Sequence, residues 1–398
     1  MIKGFLERAL SAFKIKNETQ DSFGPDLPQN EGSRHIIGCV LSGGGSRSAY
    51  QAGALKAILE EYPELETEIR ILVGSSIGAV NAISIAGTYD KGLKHSISVL
   101  ESIWRERTFK NTFLGSPSRA FLNTIKVAFL QYSNPGPKKF DLSIFDPTPL
   151  VQRIDDIISL HGYAKGIELS KMNSKLEALA VMTTVEDMER KALLIVNFKN
   201  AQCEERINIS KSNFLVQKID QIKAIHGFAS AALPSVLPPV SIDLDNRNMR
   251  LVDGGIADNV PIDPAMRLGA TGVISIDSSG RQWWQEQLGE PKDRHPSWEL
   301  RAKEESYCIF PDNHLEIINK KAFGPILKYA VGQSMNDFIK ALGPTWPIFK
   351  ILKHKLGEEL AYETLSYVAL HSDYIDELIS LGYQEAKDYI QKNKRFKV

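Results

Sequence analysis

The sequence predicts an α/β fold, a three-layer α/β/α sandwich around a mostly parallel sheet, followed by a mostly helical C-terminal extension. Three observations predict it. Short apolar runs suited to fully buried strands alternate with helix-period segments, the pattern of parallel strands covered on both faces. The run Gly43-Gly44-Gly45 ends the first of these strands and opens onto a helix. A second turn, Gly74-Ser75-Ser76-Ile77-Gly78, joins the next strand to its own helix.

In chain order, residues 1–16 place Ile2, Phe5, Leu6, Ala9, Leu10 and Phe13 on one helical face, and Lys3, Arg8, Lys14 and Lys16 outnumber the single acid Glu7. Two readings stay open: a helix docked on its own domain, or a basic amphipathic helix lying in a membrane surface. Residues 17–34 read as a polar linker rich in Asn, Asp, Gly and Pro. Ile36 to Leu41 is then a buried strand. The helix after the glycine run carries Ala54, Leu55, Ile58, Leu59 and Tyr62 on one stripe. Ile69 to Val73 is a second buried strand and Ile77 to Ala86 a second helix. Leu176 to Thr184, Ala192 to Phe198, Met249 to Val252 and Gly272 to Asp277 are further strand candidates.

Composition narrows the function classes. Lys plus Arg equals Asp plus Glu at 48 each, and 43% of residues are hydrophobic, which argues against disorder and against a polyelectrolyte partner such as nucleic acid. Any electrostatic role must be local. Cys39, Cys203 and Cys308 are too scattered for a disulfide framework or a zinc site, so a reducing compartment is expected. The N-terminus lacks the pattern of a secretory signal, and no run of about 18 apolar residues suggests a membrane span. The expected location is cytoplasmic, with room for a peripheral position at the inner face of a membrane.

The chemistry concentrates at two glycine turns and one aspartate. Gly74-Ser75-Ser76-Ile77-Gly78 matches G-x-S-x-G between a buried strand and a helix, where that motif has mechanical meaning. The flanking glycines permit the sharp turn, and the helix N-terminus favours developing negative charge. Ser76 is therefore the candidate nucleophile. An attacked ester carbonyl needs pre-placed backbone N–H donors, and Gly43, Gly44 and Gly45 can supply such an oxyanion hole. Gly43-Gly44-Gly45-Ser46-Arg47-Ser48 also matches a nucleotide phosphate loop in part, but it lacks the third glycine of the dinucleotide fingerprint, and the chain has no G-x-x-x-x-G-K-[ST].

A serine hydroxyl needs a base. A histidine following the acid would be one of His295, His314, His354 or His371, none of which lies in a recognisable motif. Asp253-Gly254-Gly255 directly follows the apolar Leu251-Val252, which puts a carboxylate at the carboxyl end of a strand, where parallel sheets place their sites. By the residues alone, Asp253 is either the base or an ordinary turn aspartate.

These elements, in this order over residues 36–277, resemble the patatin-like phospholipase family. Gly43-Gly44-Gly45-Ser46-Arg47 is similar to its oxyanion loop with a following arginine, Gly74 to Gly78 to its nucleophile elbow, and Asp253-Gly254-Gly255 to its D-G-G. Two further blocks agree: Asp146-Pro147-Thr148-Pro149-Leu150, and Ala229-Ser230-Ala231-Ala232-Leu233-Pro234. The resemblance implies a Ser76/Asp253 dyad without histidine, supported by Arg47, Gly74, Gly78 and Gly254, and working without metal or cofactor. It also implies hydrolysis of fatty-acyl esters, most often of phospholipids, with lysophospholipids or neutral esters as alternatives. A catalytically silent lipid- or nucleotide-binding protein is the rival of a different class. The chain departs from the family at Ser48, where a glycine usually follows the arginine, and a serine there narrows the permitted backbone angles. Arg47 either braces the loop by pairing with a carboxylate or reaches a substrate phosphate.

The resulting domain expectation is a catalytic unit at 35–280 and a helical extension or cap at 281–398. That last stretch includes Trp283, Trp284, Trp298 and helix-like runs at Ala322 to Leu342 and Asp376 to Lys392. Between residues 105 and 139, Arg105, Arg107, Lys110, Arg119, Lys126, Lys138 and Lys139 oppose only Glu106 and interleave with Phe109, Phe113, Phe121, Phe129 and Tyr132. Such a segment suits a lipid-facing lid with peripheral membrane contact, or a structural helix packed on the sheet. Oligomeric state has no signature in the sequence.

Overall fold

The computed structural model describes residues 35–133, 142–186, 191–199, 214–244, 247–280, 312–332, 343–392 and 396–398. The helix and linker expected at 1–34, His295, and the tryptophans Trp283, Trp284 and Trp298 lie outside them.

Among the described residues nine strands form one mixed sheet: β1 (Ile37–Leu41), β2 (Ile69–Ser75), β3 (Ala178–Val185), β4 (Lys191–Phe198), β5 (Leu215–Lys218), β6 (Val240–Leu244), β7 (Arg247–Val252), β8 (Gly272–Asp277) and β9 (His314–Ile318). The order is β5-β4-β3-β2-β1-β8-β9, with β7 pairing with β3 and β6. From β9 through β8, β1 and β2 to β3 every pairing is parallel, while β4 and β7 each run antiparallel to β3. Among the described residues the α-helices of six residues or more are α1 (Tyr50–Glu61), α2 (Ile77–Ala86), α3 (Leu93–Arg105), α4 (Pro117–Ser133), α5 (Thr148–Leu160), α6 (Ala224–Ser230), α7 (Ile262–Arg267), α8 (Phe323–Val331), α9 (Trp346–Leu356), α10 (Glu358–Leu365) and α11 (Ser372–Lys392).

The two-residue side-chain period of a strand explains why the central strands read as unbroken apolar runs. Ile37, Cys39 and Leu41 of β1 face one core, with Leu72, Leu179 and Ile274 from neighbouring strands. Val40, Ile71, Val73, Ala180 and Val273 face the other, against Ile262, Ala265 and Leu268 of the α7 segment. Each large aliphatic side chain so buried contributes roughly 1.5–3 kcal/mol. The first core is the larger and takes up α1, α2, α3, α5 and α11. Among the described residues no helix is long and apolar enough to cross a membrane.

The expected boundary at residue 280 does not divide the sheet. β9, beyond it, pairs in parallel with β8, and its burial alternates as an edge strand's does. Farther on, α11 packs against α1 at very close range. A Cβ added to Gly53 would meet the Ile379 carbonyl oxygen at 1.8 Å, and one added to Gly382 would meet that of Tyr50 at 2.0 Å. Tyr50 Oη also donates to Glu385 at 2.9 Å. The extension is mostly helical, as expected, but part of it is built into the sheet and against the helix that follows the glycine run.

Candidate active site

Strand β2 delivers Ser76 to the carboxyl edge of the sheet, one residue before α2 begins. Ser76 has φ 51°, in the left-handed region, a costly conformation for a residue with a Cβ. Three contacts hold it there. Its N–H donates to Ser230 Oγ at 2.7 Å, Ser230 Oγ donates on to the Met182 carbonyl at 2.5 Å, and Ser75 Oγ anchors the turn to the Asp258 carbonyl at 2.7 Å. The glycines on either side leave no alternative. A Cβ at Gly78 would lie 2.2 Å from the Leu41 carbonyl oxygen, and one at Gly74 2.4 Å from Ala79 Cα.

Asp253 follows β7, and Gly254 then turns the chain where a side chain would collide with the Met182 carbonyl. Its Oδ2 accepts the Ser76 hydroxyl at 2.7 Å across 177 positions of sequence, and its Oδ1 accepts the Gly255 N–H at 2.8 Å. Its backbone is pinned by its own N–H to the Ala232 carbonyl and by Thr184 Oγ1, which donates to its carbonyl at 2.8 Å. Burial raises its pKa to about 6, against the smaller opposing effects of the two hydrogen bonds. A carboxylate with that pKa is ionised at neutral pH, yet basic enough to take a proton from an attacking hydroxyl.

None of the described histidines that follow Asp253 in the chain is placed to act in its stead. His314 Nε2 pairs with Ser275 Oγ at 2.8 Å, and burial lowers its pKa to about 4. His354 and His371 belong to the α9 and α11 regions and do not line the cavity around Ser76.

The glycine run lies directly over the serine and differs from expectation at one residue. The Gly43 N–H is turned back onto Asn259, reaching its carbonyl at 3.4 Å and its Oδ1 at 3.2 Å. Among the described residues, the N–H groups of Gly44 and Gly45, and that of Ile77 at the start of α2, have no protein acceptor. These three, rather than Gly43, are the donors available to an oxyanion. Ser48 is accommodated without strain, since its φ is negative, and its hydroxyl lies 3.3 Å from Ser278 Oγ. Asn81 on α2 donates to the Ser48 carbonyl at 3.1 Å and to Gln51 Oε1 at 2.8 Å, while Gln51 donates to the Ser42 carbonyl at 2.8 Å. Both ends of the loop are thereby fastened to helices.

Arg47 takes the bracing role. It is fully buried, with Nε on Ser366 Oγ, Nη1 on the Ser279 carbonyl, and Nη2 on both the carbonyl and Oε1 of Glu363, all at 2.7–2.8 Å. The guanidinium stacks 3.6 Å from the Tyr367 ring centroid. The Tyr367 carbonyl accepts the Ser46 N–H at 2.7 Å, and Gly45 passes so close to it that a Cβ would sit 2.2 Å away. With its nitrogens engaged, Arg47 has none left for a substrate phosphate. Removing one partner of a buried pair leaves an uncompensated charge, so Glu363→Ala is expected to cost about 3–5 kcal/mol in chemical denaturation. It should also slow turnover, because the loop loses its brace. Unchanged stability in that variant would contradict the assignment.

The cavity over Ser76 is lined largely by apolar side chains, among them Ile77, Phe113, Leu150, Phe228, Leu237 and Val368. Pro147 and Leu150 come from the Asp146 block, where Asp146 Oδ1 caps the start of α5 by accepting the Thr148 N–H at 3.0 Å. Phe113 stacks on Phe145 with ring centroids 4.6 Å apart. Within the basic aromatic segment, Ala120 and Val127 of α4 are buried, whereas Leu114, Leu122 and Ile125 are about half exposed. Lys138 and Lys139 lie outside the described residues. The arrangement as a whole can carry out nucleophilic attack on a carbonyl carbon bearing an apolar chain.

Sequence reasoning passed over Ser230 as anything more than part of a block, and missed Asn259, Glu363 and Tyr367. None carries a local signature, because each acts through a contact with a residue distant in the chain.

Comparison with known proteins places these residues in context. A family model described as patatin-like phospholipase matches residues 39–266. Two relatives, both described as lysophospholipase NTE1 and both from strains of Cryptococcus neoformans var. neoformans serotype D, are 26% identical over 242 residues. The match takes in 61% of this chain and 11% of each relative, so the chain spans about a tenth of the length of the curated relatives it matches. Among solved structures, human GIVD cytosolic phospholipase A2 in complex with methyl gamma-linolenyl fluorophosphonate is 15% identical. It covers 98% of this chain and 62% of its own, with a TM-score of 0.40. VipD from Legionella pneumophila is 14% identical, covers 92% of this chain and 72% of its own, and has a TM-score of 0.33.

Proposed function

Because the chain belongs to the patatin-like phospholipase family, we propose that it hydrolyses fatty-acyl esters of phospholipids, as a phospholipase A does, through a Ser76/Asp253 dyad and an acyl-enzyme. The observation that carries this reading is the 2.7 Å hydrogen bond from Ser76 Oγ to a buried carboxylate, beneath the Gly44 and Gly45 amides and beside a largely apolar cavity. Asp253 accepts the hydroxyl proton as Ser76 Oγ attacks the ester carbonyl carbon. The Gly44, Gly45 and Ile77 amides stabilise the oxyanion of the tetrahedral intermediate. As the intermediate collapses, the departing alcohol takes the proton from Asp253 and leaves the acyl group on Ser76. Water, deprotonated by Asp253, then releases the fatty acid and restores the hydroxyl.

Lysophospholipid hydrolysis is the nearest alternative, favoured by the name of the relatives over the matched 242 residues. Peripheral contact with a membrane through 105–139 belongs to the same reading, supported by exposed Leu114, Leu122 and Ile125 near the cationic Arg119 and Lys126. The deciding experiment is mass spectrometry of products from vesicles mixing diacyl phospholipids, lysophospholipids and neutral glycerides. Free fatty acid with a matching lysophospholipid is expected. Loss of neutral glyceride alone would make the protein a neutral-ester hydrolase, and no acyl release from any lipid would return it to the silent-binder class.

A further inference from the structure

The cavity over Ser76 contains a charge that the hydrolytic steps leave unused. Two of its lining residues carry charge at neutral pH, Asp253 and Arg107. Asp253 is engaged with Ser76 and Gly255. Arg107 stands just beyond the end of α3 and is only 8% exposed.

The described chain buries three arginines, and two of them are paired: Arg47 with Glu363 at 2.8 Å and Arg267 with Asp263 at 2.9 Å. Among the described residues Arg107 has no such carboxylate, and its Nε has no hydrogen-bond partner. Its one specific contact is with the face of Trp104, 4.1 Å from the ring centroid to the guanidinium carbon. The ring is itself held in place, since Trp104 Nε1 donates to Asn81 Oδ1 at 3.1 Å. Trp104 therefore offers a fixed platform that orients the guanidinium without neutralising it.

Burying an unpaired guanidinium is unfavourable, and folding alone does not compensate for it. Burial depresses the Arg107 pKa to about 9, so the positive charge persists at neutral pH. A planar cation with open donors, in the wall of a largely apolar cavity, is built for an oxyanion delivered by the ligand. The carboxylate of a fatty-acid product does not fill that role, because it forms at Ser76 Oγ beneath the glycine amides. The remaining anion of an acyl ester substrate is its phosphodiester.

We propose that Arg107 is the receptor for the phosphodiester of the substrate, binding it while the scissile ester lies at Ser76, and that it thereby selects phosphate-bearing esters over uncharged ones. This rests on the acyl-hydrolase reading above and adds to it the residue that chooses the substrate class.

The test uses the full chain and monomeric substrates, which remove any effect of membrane binding. Arg107→Met keeps the length and the packing on Trp104, and Arg107→Lys keeps the charge. Turnover is compared on dihexanoyl phosphatidylcholine and on an uncharged hexanoyl ester. In Arg107→Met, kcat/KM for the phospholipid should fall roughly ten- to a hundred-fold, the range of a charge-assisted hydrogen bond, mainly through KM. The uncharged ester should change less than about twofold, and Arg107→Lys should recover part of the loss. The melting temperature of Arg107→Met should not drop, since a buried unpaired charge has been removed. An equal loss on both substrates, or none on the phospholipid, overturns the proposal while leaving the hydrolase reading intact.

If the wild type cleaves neither substrate, the hydrolase reading fails, and binding decides the role of Arg107. Calorimetry with dodecylphosphocholine below its micellar concentration, against an uncharged dodecyl ether, should show at least about tenfold weaker binding of the phosphocholine alone in Arg107→Met. Equal affinities in variant and wild type overturn the proposal. Should Arg107→Met not fold, Arg107→Gln carries the same comparisons.

Discussion

Ser76→Ala is expected to lower kcat on any acyl substrate by roughly 10⁴- to 10⁶-fold, because it removes the cavity hydroxyl that donates to the buried carboxylate of Asp253. The substitution is conservative for the fold. Alanine retains the Cβ, so the strain of the elbow at φ 51° is unchanged, and the N–H bond to Ser230 remains. The folded state loses the hydroxyl's bond to Asp253, worth about 1 kcal/mol. The informative result is therefore loss of burst-phase acylation, followed with an ester that releases a chromophore, in a protein that melts close to wild type. Acylation that survives in Ser76→Ala removes Ser76 from the mechanism.

Asp253→Asn is the second large effect, with an expected loss of about 10³-fold or more, near the upper range of general-base catalysis. The amide is isosteric. Its oxygen can still accept the Gly255 N–H, but toward Ser76 it presents a donor with no basicity. Wild-type kcat/KM should climb with pH through about 6, where Asp253 ionises, and level off above it. A profile governed instead by a group near 7, together with a loss of similar size in a histidine variant, would transfer the base to that histidine.

The same pKa bears on stability, with the sign opposite to that of a salt-bridged carboxylate. Unfolded Asp253 releases its proton near the ordinary aspartate value of 3.8, whereas the folded protein holds it until about 6. Between these values the native state binds more protons than the unfolded state, so stability falls as pH rises. Above about 6 the full penalty is present, on the order of 3 kcal/mol. Asp253→Asn should therefore melt no lower than wild type at pH 8 while being nearly inactive. A clearly less stable variant at that pH would mean that the carboxylate is not held in the costly buried state the structure places it in.

The elements legible in the sequence share one property: their signals are local. The helix Ile77–Ala86 and the strand Gly272–Asp277 fall where the pattern predicts, because an apolar run bounded by glycines specifies its own conformation. The elbow at Ser76 and the turn after Asp253 were legible for the same reason, as glycine is required wherever backbone passes within contact distance of backbone. The strands Leu215–Lys218, Val240–Leu244 and His314–Ile318 were not foreseen. Each is four or five residues long at or near a sheet edge, too short and too exposed for its alternation to rise above loop composition.

By itself, then, the sequence determined the central parallel sheet, the sharp turn at Ser76 and the carboxylate at the end of its strand, since short-range sterics and hydrophobic period decide those. Only the tertiary structure decided how these parts are held and charged. It turned the Gly43 amide onto Asn259 and left Gly44, Gly45 and Ile77 as the open donors. It paired Arg47 with Glu363 across 316 positions, making the C-terminal segment a brace of the glycine loop. It also buried Arg107 on Trp104 without a carboxylate partner among the described residues, singling it out from Arg105, Lys110, Arg119 and Lys126 in the same basic stretch. The physical reason is common to all three. The energy of a buried amide or charge depends on what lies within a few ångströms of it, and chain folding rather than chain order sets that distance.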